Sequence, residues 1–302
     1  MISEATGKAR ATLIGFSAVI LWALLALFTV GSAPVPPLQL NAICFAIGGA
    51  IGLIWLGATG EFSQLSRVPL KVYAFGTAGL FGYHLLYFSA LRLAPPAEAG
   101  LIAYLWPLLI VLFSGLLPGE KLRPGHILGA LVAFGGAALI VGQSGLALSG
   151  ASLPGYGLAF LCALTWSGYS LISRRLGTVP TGAVAIYCLA SAALSTIAHL
   201  TLEETVWPSS TLGWASVLAL GLGPVGLAFF TWDIGVKRGD IQLLGTASYA
   251  APLLSTLALI LAGFAEASPR LLIAAAMIAT GAALAALAGK GAQKKAGQLA
   301  RP

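Results

Sequence analysis

The chain has 302 residues, 58% of them hydrophobic and 8% charged, with a net charge of +7. An ordinary soluble domain is roughly 25% charged, so 16 basic and 9 acidic side chains cannot clothe a water-soluble surface of this size. The positive charge does not point to nucleic acid either, because the basic residues sit in short connections between apolar runs and not on one folded face.

Apolar stretches of about 20 residues, the length that crosses a hydrocarbon core, run at 11–31, 37–57, 71–91, 96–117, 124–142, 154–173, 181–201, 212–232, 241–263 and 269–288. They predict an all-α membrane protein of ten transmembrane helices, with the lipid bilayer as its solvent. The first stretch follows Lys8 and Arg10 but is too long for a signal-peptide core and precedes no soluble body, so it is expected to stay as a helix. Connections such as Ser32–Pro37, Gly57–Pro69, Pro118–Pro124 and Ser144–Pro154 gather Pro and Gly. Cys44, Cys162 and Cys188 lie inside apolar runs with neither metal nor disulfide spacing, which makes them packing residues.

Cytoplasmic loops retain Lys and Arg. With the N-terminus inside and ten crossings, Lys8, Arg10, Arg67, Lys71, Lys121, Arg123, Arg174, Arg175, Lys237, Arg238, Lys290, Lys294, Lys295 and Arg301 all fall inside; only Arg92 and Arg270 fall outside. One miscounted helix would reverse every later loop. The helix count and two cytoplasmic termini therefore support each other.

The sequence repeats itself. A shift of 144 residues lays Trp22 on Trp166 and Val35-Pro36 on Val179-Pro180; from the third helix the shift becomes 145, laying Gly76 on Gly221, Arg92 on Lys237, Tyr104 on Tyr249, Pro107 on Pro252, Pro124 on Pro269 and Gly136 on Gly281. Five helices per copy is an odd number, so the second copy enters the membrane from the opposite side. The expected organisation is a first repeat over 8–143, an inverted second repeat over 152–288 and a basic cytoplasmic tail at 289–302, with a substrate site where the halves meet.

Interrupted helices at matching places mark such a site. The third helix carries Gly76, Gly79 and Gly82, the eighth Gly221, Gly223, Pro224 and Gly226, and the fourth and ninth Tyr104-x-x-Pro107 and Tyr249-x-x-Pro252. Proline removes an amide donor and disturbs a carbonyl one turn back, and in lipid that backbone must face protein or a water-filled cavity. Pro107, Pro252, Gly79 and Pro224 are the expected hinges. Tyr83 and Tyr87 share a helix face, with His84 on the next stripe; Tyr104 and Trp106 precede Pro107; Trp22 lies mid-way along the first helix, and Trp166 and Tyr169 share a face of the sixth. Lipid-facing Tyr and Trp collect at the interfaces, so these mid-helix copies are expected to line a cavity, whereas Trp207 and Trp214 read as interfacial residues.

His84 is the one ionisable residue clearly mid-span; Glu98, Asp233, His199 and Arg92 lie near helix ends, where reaching toward the headgroups explains them. A cavity of this chemistry suits a zwitterion or neutral metabolite with an apolar or aromatic side chain, held by stacking, cation–π contact and hydrogen bonds. It does not suit a polyanion. Nothing in the sequence supplies a nucleophile with its base, a metal cluster or paired acids, so no enzyme activity, cofactor or metal is expected.

The repeat of about 145 residues, the tryptophan in the first helix of each half, Pro36 and Pro180, the run Gly82-Tyr83-His84-x-x-Tyr87 and the run Ala103-Tyr104-Leu105-Trp106-Pro107-Leu108 resemble the drug/metabolite transporter superfamily, EamA branch. Within it they look most like the bacterial aromatic amino acid exporters. That resemblance implies a basket of helices around a central cavity and export of aromatic and other apolar amino acids across the bacterial inner membrane by alternating access, by a monomer. The alternative is export of another small metabolite or drug, such as a nucleoside, a sugar or a lipophilic compound. The resemblance carries over Tyr83, His84, Tyr87, Tyr104, Trp106, Trp22 and Trp166 as cavity residues. The second half departs from the pattern, with Ala251 where Trp106 stands and Trp232 where Tyr87 stands; beyond Trp166 and Tyr169, only Tyr249 of that half joins the predicted site.

Overall fold

The computed structural model describes residues 2–142, 150–263, 266 and 268–299, without side-chain detail beyond residue 288. The side chains of the expected basic tail, Lys290, Lys294 and Lys295 included, and residues 300–302 lie outside the described residues, as does the repeat boundary at 143.

The described chain is helical throughout. In order it runs α1 (Ile2–Ala23), α2 (Leu25–Gly31), α3 (Pro37–Thr59), the single turn α4 (Phe62–Leu65), α5 (Leu70–Leu93), α6 (Pro96–Ala103), α7 (Trp106–Ser114) and α8 (Pro124–Val141). The second half runs α9 (Leu153–Arg175), α10 (Ala183–Leu202), α11 (Thr211–Leu222), a π-helical turn (Gly223–Leu227), α12 (Ala228–Arg238), α13 (Ile241–Ala247), α14 (Ala250–Leu261) and α15 (Pro269–Leu299). Prolines 37, 96, 107, 124, 154, 224 and 269 stand in first turns, where the missing N–H would have no helical partner.

Among the described residues seven helices are long and apolar enough to cross a membrane, and Glu98–Ser114 and Pro124–Ile140 form shorter apolar helices. Helix α5 has 24 residues but is diluted by Tyr73, Thr77, Tyr83, His84 and Tyr87, of which the last three are the polar-tipped residues expected at the site.

The fold rests on four close helix pairs: α3 with α10, α8 with α15, α5 with α9, and α1 with α12. Replacing each helix by its repeat mate reproduces the same set. Small residues let backbones touch in two of them. In the α8–α15 pair a Cβ on Gly129 would meet the Gly281 carbonyl oxygen at 2.5 Å, and one on Gly136 would meet that of Ala274 at 2.8 Å, so any larger residue forces the pair apart.

The pattern breaks where α13 meets α7. Helix α13 packs on α7, whereas the mate pair α6 and α14 lacks a comparable contact. One side is thus sealed and the other parted. On the sealed side Arg174 pairs with Glu120 and donates to the carbonyls of Val236 (2.8 Å) and Gly239 (3.0 Å). Nearby, Asp240 accepts from Leu243 N–H at the start of α13, pairs with Lys8 at 3.3 Å, and gives its own N–H to Thr12 Oγ1.

Candidate functional site

Two helices are broken in the same way. Pro107 and Pro252 cannot donate, and the turns ahead of them tighten: Leu105 N–H reaches the Ile102 carbonyl and Tyr249 N–H the Thr246 carbonyl, three residues back instead of four. The π-helical turn at Pro224 also reaches across to the first helix: Trp22 Nε1–H donates to the Pro224 carbonyl at 3.0 Å.

Helix α5 runs unbroken through Gly79, where a Cβ would meet Tyr169 Cδ2 at 2.5 Å. The lack of a side chain there makes room for a buried ring.

Between the halves lies a cavity of about 770 Å³. Trp22, Tyr83, His84, Tyr87, Tyr104, Trp106 and Trp166 line it. The tryptophans form one cluster. Trp22 and Trp166, mates in the repeat, meet edge-on at 5.5 Å between ring centroids, and Trp106 stands edge-on to both at 6.2 and 6.4 Å. Such pairs are worth about 0.5–1.5 kcal/mol each beyond area burial, so the cluster is a firm floor. Tyr83 and Tyr87 stack with planes 4° apart, and Tyr83 tilts against Trp166 at 5.4 Å. His84 gives Nδ1–H to the Leu80 carbonyl at 2.8 Å and stands edge-on to Phe45, which leaves Nε2 as its remaining polar atom.

Tyr169 and Tyr249 are not on the wall. Tyr169 is buried behind it, stacked on Trp166 at 5.2 Å and on Phe75 at 5.7 Å. Tyr249 is fully buried and its hydroxyl accepts the Leu108 N–H at 3.0 Å, the donor that Pro107 uncouples from its own helix.

Sequence reasoning missed several residues. Thr29, Asn41 and Ser255 put polar groups on the wall, with Asn41 Nδ2 donating to Ser195 Oγ at 2.8 Å. Phe229 lines the cavity as well, stacked on Phe45 at 5.5 Å. Trp232 lies beneath the floor, 5.1 Å from Trp22, and donates to Ser170 Oγ. Its alignment on Tyr87 was the available signal. Thr29, Asn41 and Ser255 gave none, being isolated small polar residues.

The ionisable residues near helix ends do not reach toward headgroups as expected. Glu98, His199 and Asp233 are all buried. Asp233 pairs with Lys237 at 2.8 Å and accepts from Thr181 Oγ1 at 2.7 Å. Glu203 accepts from the N–H groups of Leu38 and Gln39, capping α3 from the other half, and also meets His199 Nδ1 and Arg92. Only Arg92 is half-exposed. Trp207 and Trp214, 55% and 43% exposed, stack on each other as interfacial residues do.

The EamA-like transporter family matches this chain twice, over residues 9–142 and 153–287. The chain belongs to the EamA-like transporter family. Among its relatives is the aromatic amino acid exporter YddG of Ancylobacter novellus, 55% identical over 282 residues, covering 93% of this chain and 98% of that protein. YddG of Escherichia coli is 25% identical over 262 residues, covering 82% and 87%, and the pseudopaline exporter CntI of Pseudomonas aeruginosa 29% identical over 211, covering 68% and 71%. A crystal structure 55% identical in sequence superposes with a TM-score of 0.89 over 93% of this chain and 98% of its own. As a member of the EamA-like family, the chain is a multi-pass membrane transporter whose named relatives are exporters rather than enzymes.

Proposed function

We propose that this transporter exports aromatic and other apolar amino acids across the bacterial inner membrane. The observation that carries the reading is the aromatic floor, Trp22, Trp106 and Trp166, under a wall bearing the hydroxyls of Tyr83, Tyr87 and Tyr104. Rings receive an aromatic side chain by edge and face contact, and their negative faces attract the ammonium group. The Tyr hydroxyls, Asn41 and Ser255 are donors available to the carboxylate. The name of the 55% identical relative, an aromatic amino acid exporter, supports the same substrate class.

Ten crossings in two inverted repeats, over 8–143 and 152–288, with both termini cytoplasmic, fit the helix pairing that survives exchange of the halves. The contact between the mates Trp22 and Trp166 fits a pseudo-twofold axis passing between them. In that orientation the sealed side is cytoplasmic and the cavity, bounded by Thr29, Pro37 and Leu91, opens outward. Return to the inward-facing form swaps the contact of α13 with α7 for one of α6 with α14. The breaks at Pro107, Pro252 and Pro224 absorb the change, and a monomer suffices.

The test is transport by the purified protein alone in liposomes, with labelled amino acids and with or without a pH gradient. Saturable flux of Phe, Tyr and Trp above that of Asp or Lys is expected. Equal flux of all of them, or flux of none, overturns the reading.

A further inference from the structure

A second concavity lies on the outside of the bundle, between α5 and α10, with a volume of about 710 Å³. Its walls are Leu70, Ala74, Ala78, Phe81 and Leu85 of α5 facing Ile186, Ala190 and Leu194 of α10. Ala74, Ala78 and Gly82, four apart, form the hollow, and larger apolar residues stand on either side. The helices meet at its base, where Gly76 admits the ring of Tyr187. From Leu70 to Leu85 the trough is about 22 Å long at 1.5 Å per residue, against roughly 15 Å for half a hydrocarbon core. It is as long as an extended acyl chain needs and holds almost no polar group.

The end at Leu70 is flanked by charge. Arg67 and Lys71 are both exposed there and neither forms an ion pair among the described residues. An apolar trough ending in two free cations has the chemistry of an anionic phospholipid, its tail along α5 and its phosphate at the mouth. A second copy of the chain fits worse, because a twofold axis normal to the membrane through this face would bring four cations together. We infer that the groove between α5 and α10 is a binding site for one anionic phospholipid, which in the orientation proposed above belongs to the cytoplasmic leaflet. The site itself does not depend on what the central cavity carries.

The test is native mass spectrometry of the purified full chain, delipidated and then titrated with phosphatidylglycerol or phosphatidylcholine. One retained phosphatidylglycerol, held more tightly than phosphatidylcholine, is expected. The double variant R67Q/K71Q should lower that preference about 30-fold, at roughly fivefold per cation, while K121Q, which removes an exposed cation elsewhere, should leave it intact. Ala78→Leu fills the trough on a lipid-facing surface and should abolish retention of both lipids. Absence of preference in the wild type, loss of preference in K121Q to the same degree, or retention unchanged in Ala78→Leu overturns the proposal. A dimer peak that Ala78→Leu removes assigns the groove to a second copy instead. Amino-acid flux is read separately, so its failure would count against the transport reading and not against the lipid site.

Discussion

The hydroxyl of Tyr249 accepts the backbone N–H of Leu108 across the interface between the two halves. Its repeat mate, Tyr104, lines the open cavity instead. The same residue type thus closes one side and lines the opening on the other.

Removing that hydroxyl should leave the buried Leu108 N–H without a partner, a loss of about 1–3 kcal/mol. Tyr249→Phe is expected to lower the midpoint of thermal unfolding in detergent by several degrees, and Tyr104→Phe to lower it far less. Equal shifts would show that the hydroxyl of Tyr249 contributes nothing special.

Trp22→Phe keeps a ring in the floor and removes the donor to the Pro224 carbonyl. Loss of that hydrogen bond costs about 0.5–1.5 kcal/mol, so the midpoint of thermal unfolding in detergent should fall by a few degrees with membrane insertion unchanged. A wild-type midpoint in this variant would mean that the bond contributes nothing net.

Glycines 76 and 82 lie on one helix but in unlike surroundings. A Cβ on Gly76 would meet the Tyr187 ring at 2.4 Å, whereas one on Gly82 finds only Thr165 Cγ2 at 3.9 Å. Gly76→Ala should destabilise by about 1–3 kcal/mol through overpacking. Gly82→Ala should be neutral or stabilise by up to about 1 kcal/mol, as expected inside a helix. Unfolding of the two variants side by side checks the contrast.

Glu203→Ala frees the N–H groups of Leu38 and Gln39 and takes the partner from His199 Nδ1, while His199 Nε2 keeps Thr205 Oγ1, so a loss of about 2–4 kcal/mol is expected. Arg92→Ala should cost less than about 1 kcal/mol, because Arg92 is half-exposed and its pair with Glu203 is screened. A double-mutant cycle in unfolding measurements separates the two contributions.

The sequence exposed a great deal of this fold because the solvent is lipid. A spanning helix must satisfy its backbone internally, so every crossing appears as an apolar run bounded by Pro, Gly and charge, and the helix starts at Pro37, Pro124 and Pro269 fall where those marks lie. The breaks ahead of Pro107 and Pro252 were legible for the same reason. Spacing told less about which rings face inward: Trp166 and Tyr169 share a stripe, yet one lines the cavity and the other supports it from behind. Burial of Glu203 was illegible, since Leu38 and Arg92, which hold it, lie 165 and 111 residues away. That of Asp233 was within reach, because Lys237 stands one turn on.

The chain has seven tryptophans, and Trp22, Trp106, Trp166 and Trp232 are gathered at the centre of the molecule, with neighbouring rings no more than 6.4 Å apart. Indoles at that separation exchange excitation energy, so light absorbed by any one of them is shared with the rest. With Trp55, Trp207 and Trp214 changed to Phe, the unlabelled protein would glow only from its core, and the arrival of a guest there would be visible as a change in colour or brightness.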